Sequence, residues 1–135
     1  MSFVLDASVT ACWAFEDEHE ILAEFALERL DAEDAFVPNL WWFEIRNTLI
    51  VNERRGRKSE TQTTSFLVRL ARFPIKVDRS PHEADVLALA RRHRLTVYDA
   101  AYLELARRRR EPLATLDRKL VAAALAESIP LLGAP

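Results

Sequence analysis

The chain has 135 residues, half of them hydrophobic and 30% charged, with 19 Lys and Arg against 21 Asp and Glu for a formal charge of −2. That is the composition of one soluble globular domain, expected over residues 1–135 and long enough to bury a core without disulfides or structural zinc. Near-neutral charge means that contact with nucleic acid must rest on local patches and bridging cations, and the two glycines, Gly56 and Gly133, exclude both a Walker loop and a G-x-G-x-x-G dinucleotide fingerprint.

Phe3-Val4-Leu5 is a short apolar run that meets Asp6 and Ser8 and leads into an apolar helical stretch from Val9 to Phe15, as a buried strand feeding a helix would. From Glu18 to Asp31, Ile21, Leu22, Phe25, Ala26 and Leu30 recur at helical spacing and predict an amphipathic helix. Ala35-Phe36-Val37 is a brief strand. Pro38 breaks it, and Asn39 is placed to cap a long helix running to about Arg55, with Gly56 as its stop. Ser59 with Gln62 and Ser80 with Glu83 read as capping boxes, Pro81 filling the first helical position of the second. Ile75 to Val77, Leu113 to Leu116 and Ile129 to Leu132 are further strands, and Leu95 to Tyr98 is an apolar run that ends at Asp99. Strands alternating with helices, with no Asn-Gly hairpin signal, predict a parallel, helix-covered α/β sheet, from which the helices between Asn39 and Arg72 project as a lobe.

Four acids fall where an open α/β sheet places its chemistry, outside the carboxyl ends of the strands: Asp6, Glu44, Asp99 and Asp117. Each aspartate also precedes a predicted helix, where capping is the competing role. Glu44 has no such role. Leu40-Trp41-Trp42-Phe43 and Ile45 surround it, so it needs a partner, either a cation or a base such as Arg46. Clustered carboxylates without histidine or cysteine favour Mg²⁺ or Mn²⁺, and such a site suits water activation for phosphodiester hydrolysis. Ser8 and Thr115 neighbour Asp6 and Asp117 and are candidates to orient a carboxylate or hold a metal-bound water; Asn47, one turn beyond Glu44, shares its helix face.

Phe3-Val4-Leu5-Asp6-Ala7-Ser8, Glu44-Ile45-Arg46-Asn47, Thr96-Val97-Tyr98-Asp99-Ala100-Ala101-Tyr102 and Ala114-Thr115-Leu116-Asp117-Arg118-Lys119-Leu120 resemble, in order and spacing, the successive motifs of the PIN-domain ribonucleases. The length resembles the VapC-like toxins of type II toxin–antitoxin pairs, which are Mg²⁺- or Mn²⁺-dependent endoribonucleases. The resemblance implies a three-layer sandwich around a short parallel sheet of about five strands. It implies that Asp6, Glu44, Asp99 and Asp117 are the catalytic, metal-holding quartet, that Thr115 is the hydroxyl residue before the last acid, and that a metal-activated water attacks RNA. It further implies a homodimer and a co-encoded antitoxin whose tail crosses the active-site groove. Ala7 and Thr96 stand where many members carry Ser or Thr and Ser respectively, and neither change removes a carboxylate.

The basic runs Arg54 to Lys58, Arg91 to Arg94 and Arg107 to Arg110 end predicted helices, where cations complement the dipole; the last two should face away from the acids, whereas the first tips the lobe and could reach RNA. Trp41, Trp42 and Phe43 are more aromatics than one helix face buries, so at least one should point outward, toward bases, a second copy or the antitoxin. His19, His82 and His93 share no spacing, and Cys12 reads as a small buried apolar residue. The lone cysteine, with no charged leader and no membrane-length apolar run, makes a cytoplasmic, membrane-free setting the expectation, and direct DNA binding by this chain alone is not expected. The competing function is a catalytically silent module of the same fold that binds metal, RNA or a partner peptide. A receiver or phosphatase would want paired acids or Asp-x-Asp-x-Thr after the first strand, and Asp6-Ala7-Ser8 offers neither.

Overall fold

The structure, a computed structural model, describes residues 1–133; the end of the domain expected over 1–135 lies outside them. β1 (Ser2–Leu5) leads into α1 (Ala7–Cys12) and α2 (Ile21–Arg29), and β2 (Asp34–Pro38) into α3 (Leu40–Arg54) and α4 (Glu60–Leu70). β3 (Ile75–Asp78) is followed by α5 (Glu83–His93) and α6 (Val97–Arg109), and β4 (Leu113–Ala114) by α7 (Arg118–Ala126). All pairings are parallel, in the order β3-β2-β1-β4, with Val4 of β1 set between Phe36 and Leu113. Helices cover both faces, so Phe3, Val4 and Leu5 are all buried rather than alternating.

The strand order fixes the layers. The steps from β1 to β2 and from β2 to β3 move the same way along the sheet, and right-handed crossovers place their helices on one face. The step from β3 back to β4 reverses direction, so α5 and α6 cover the other face, and α6 packs across β1, β2 and β4. The chains leaving β1 and β4 therefore part to opposite faces. A crevice opens at such a switch point beyond the strand carboxyl ends, and Asp6 and Asp117 follow those two strands.

The sheet has four strands rather than about five. The run at Ile129–Leu132 contracts to a single parallel bridge between Leu131 and Leu113, because left-handed backbone at Ser128 and Gly133 bends the chain on either side of it. Leu95 to Tyr98 is not a strand either. Arg94 ends α5 in the left-handed conformation, and the Thr96 hydroxyl accepts the Asp99 N–H, so a local cap starts α6 at Val97. Of the two expected capping boxes, Ser59–Gln62 forms with both bonds. The Ser80–Glu83 box does not, since the Ser80 N–H donates to Asp78 Oδ1 and His82 takes the N-cap position of α5. Asn39 occupies the N-cap of α3 without a side-chain bond, and Gly56, at φ +75°, stops that helix as expected.

Among the described residues, no helix is long and apolar enough to cross a membrane.

Candidate active site

Asp6 lies one residue past β1, and its N–H donates to the Ala114 carbonyl, continuing the β1–β4 ladder and bringing Thr115 alongside. At 5% exposed it is the most buried of the four acids, and it makes no capping bond to α1 although it stands at that helix's N-cap. Two hydroxyls hold its carboxylate instead. Ser8 Oγ donates to Asp6 Oδ2 at 2.6 Å and Thr115 Oγ1 donates to the same oxygen at 2.8 Å. Each hydroxyl is itself fixed by a backbone donor, the Leu116 N–H on Ser8 and the Asp117 N–H on Thr115, so both protons are committed to Asp6. Ser8 and Thr115, the two hydroxyls singled out in the sequence, thus both bond the Asp6 carboxylate.

Glu44 projects from α3, and its partner within the protein is not Arg46. The hydroxyl of Tyr102, on α6 one turn past Asp99, donates to Glu44 Oε1 at 2.6 Å. Arg46 turns back on its own helix, donating to the Trp42 carbonyl with its guanidinium over the Trp42 ring. Tyr102 was not legible as a site residue from spacing, although its position three residues beyond Asp99 puts the two on one helix face. Asp117 behaves as the cap it was also expected to be, accepting the Lys119 and Leu120 N–H groups on Oδ1. Asp99 sits in the first turn of α6 rather than ahead of the helix. Asn47 is exposed and takes no part in these bonds.

The four carboxyl groups share one electrostatic neighbourhood. Burial raises Asp6 above the usual carboxylate range, with Asp117 adding to the rise against the Ser8 and Thr115 hydrogen bonds. Burial pushes Glu44 up to about 7, opposed by the Tyr102 hydrogen bond and reinforced by Asp6 and Asp99. Asp99 is raised by burial and then by Asp117 and Asp6. The result is a concentration of negative charge that the protein only partly offsets.

A common pattern runs through three of these acids. Asp6 Oδ2, Glu44 Oε1 and Asp117 Oδ1 are tied to the protein, while the second oxygen of each takes none of these bonds. Among the described residues, no three Asp, Glu, His or Cys side chains close on one point tightly enough to hold an ion as they stand. The donor chemistry nevertheless fits a hard divalent cation: oxygens only, mutually repelling, with three of the four acids anchored through a partner oxygen.

The aromatic cluster divides. Trp41 is buried with its indole N–H on Thr10 Oγ1, whereas Trp42 and Phe43 point outward and stack edge to face. Phe43 and Tyr98, the residues before Glu44 and Asp99, are 64% and 65% exposed and line one cavity of about 340 Å³. Half of the basic residues in the three runs pair with acids. Arg108 pairs with Asp78 and buried Glu104, and Arg92, His93 and Arg107 converge on Glu127. Arg109 pairs with Glu111 and lies over Phe36. In the Arg54 to Lys58 run, Arg57 bonds Asn52 and Asp17, and Lys58 donates to the Ala14 carbonyl, which ties the lobe tip to the chain just after α1. Cys12 is half-buried, its thiol on the Ser8 carbonyl.

Comparison with known proteins agrees with this architecture. Residues 3–126 match the PIN domain family model, and the chain belongs to that family. It is 36% identical over 139 aligned residues to the ribonuclease VapC3 of Pyrobaculum aerophilum, the alignment covering all of both chains. It is also similar to the crystal structure of PAE2754 from Pyrobaculum aerophilum, with a TM-score of 0.71 at 25% identity over 91% of this chain and 79% of that one.

Proposed function

We propose that this protein is a Mg²⁺- or Mn²⁺-dependent endoribonuclease, the toxin of a type II toxin–antitoxin pair, acting in the cytoplasm as a homodimer held in check by a cognate antitoxin. The observation that carries the reading is the acid cluster at the β1–β4 switch point, where each of Asp6, Glu44 and Asp117 is anchored by one oxygen and leaves the other uncommitted. Full-length similarity to a VapC ribonuclease supports the substrate class and the antitoxin partner.

Asp6, Glu44, Asp99 and Asp117 are the residues that would hold the ion. When bound, it supplies a more acidic water and offsets charge on the scissile phosphate. The rest is done by the chain's own groups. Ser8 and Thr115 fix the Asp6 carboxylate, and Asp117 is immobilised by the first turn of α7. The N-termini of α6 and α7 point positive dipole ends at the same region, which favours a phosphate there. Trp42, Phe43 and Tyr98, one or two positions before Glu44 and Asp99 in sequence, offer exposed rings suited to stacking unpaired bases of single-stranded RNA.

The second reading, a silent module that binds metal, RNA or a partner peptide, draws on the absence of a closed ligand group among the described residues. Cleavage of total cellular RNA separates the two. Purified protein is incubated with Mn²⁺, Mg²⁺ or chelator alongside Asp99→Asn. Discrete metal-dependent cuts that the variant lacks are expected; RNA or metal binding with no cuts in either protein points to the silent module.

A further inference from the structure

The four acids do not account for everything built around them. Tyr102 is 0% exposed, among the largest fully buried side chains, and its hydroxyl ends at Glu44 Oε1. A buried phenol needs a hydrogen-bond partner, but any backbone carbonyl would serve. Here the partner is a site acid whose carboxylate has no second anchor. Asp6 has Ser8 and Thr115, and Asp117 has the α7 amides, whereas among the described residues the Glu44 carboxylate accepts only from Tyr102. The bond also joins two faces of the molecule, since Glu44 rides on α3 and Tyr102 on α6, whose first turn carries Asp99.

We propose that Tyr102 is the positioning residue of the site: its hydroxyl pins Glu44 Oε1, turns Oε2 toward the other acids, and fixes the α3 acid relative to the α6 acid. This rests on the cation-dependent reading above. A carboxylate that binds metal with one oxygen holds its direction through the other, and loss of such a supporting bond costs about 10- to 100-fold in metal affinity or activity. A phenol hydroxyl is a donor across the working pH range, which suits it to hold a carboxylate oxygen. Substrate contact is not part of its role.

The test measures Mn²⁺ affinity by calorimetry on wild type, Tyr102→Phe, Glu44→Gln and the double variant, with melting temperature as a control for folding. Tyr102→Phe should weaken Mn²⁺ binding about 10-fold or more. The same substitution on the Glu44→Gln background should change binding little further, because the pinned group is already altered. KM for RNA at saturating Mn²⁺ should match wild type, which general loosening of the core would not spare. Equal Mn²⁺ affinity in wild type and Tyr102→Phe overturns the proposal; no Mn²⁺ binding by wild type overturns the cation reading on which it stands. Should Tyr102→Phe not fold, 3-fluorotyrosine in the wild-type protein gives two ¹⁹F signals, from Tyr98 and Tyr102. Mg²⁺ should then move the Tyr102 signal in wild type and not in Glu44→Gln, and an unmoved signal in wild-type protein that binds Mg²⁺ overturns the proposal.

Discussion

Thr115 spends its hydroxyl proton on Asp6 and its lone pair on the Asp117 N–H, linking two site acids through one side chain. Thr115→Val keeps the shape and removes both bonds, leaving a buried carboxylate oxygen with Ser8 alone. The expected loss is about 1–3 kcal/mol of folding stability, read as a lower urea midpoint at unchanged m-value. The positions of Asp6 and Asp117 past β1 and β4 were legible in the sequence, whereas Asp99 was read as a strand exit and lies in the first turn of α6. Tyr102 was not legible, because a Tyr within an apolar helix face looks like core until the partner helix is placed against it. Arg46 shows the converse: beside Glu44 in sequence, it lies over Trp42 instead, since neighbours one or two apart on a helix diverge.

At the level of elements, α6 carries more than its share. Its first turn holds Asp99, its next turn Tyr102, and its far half Glu104, which is 2% exposed and bonded by Arg108. Arg108 also takes both oxygens of Asp78 at the end of β3, joining that helix to the sheet edge. Removing it with Arg108→Met strands a buried carboxylate, and a loss of about 3–5 kcal/mol is expected in thermal or chemical unfolding. Arg108 in the Arg107 to Arg110 run is thus a structural clamp, where its place at a helix end suggested only a complement to the dipole. Elements set by local chemistry, such as the Ser59–Gln62 box and the Gly56 stop, were readable in the sequence. Those set by competition were not: Ile129 to Leu132 had strand composition but too short a straight run, and Leu95 to Tyr98 lost to the Thr96 cap.

Over the whole molecule, the same charges set the pH dependence of stability. Glu44 has an ordinary value of 4.5 and a folded value of about 7, so between them the folded protein holds a proton that the unfolded chain has released. Stability of the metal-free protein therefore falls as pH rises through that window, and the raised Asp6 and Asp99 act in the same direction. On the acid side, Asp78 is held low by Arg108, and Glu127 by His93 and then Arg92. Their contributions are present above the usual carboxylate range and disappear as pH falls through the lowered values. Urea unfolding across pH should show a maximum in mildly acidic solution. A divalent cation should remove the decline on the neutral side, and Glu44→Gln should reduce it without metal.

The central claim is that Asp6, Glu44, Asp99 and Asp117 make one cation site at the β1–β4 switch point. Calorimetric titration of Mn²⁺ into wild type and into Asp6→Asn, Glu44→Gln, Asp99→Asn and Asp117→Asn tests it most directly. Saturable binding in wild type that weakens in all four folded variants is the predicted result. Binding that survives unchanged in them would place the ion elsewhere and contradict the account.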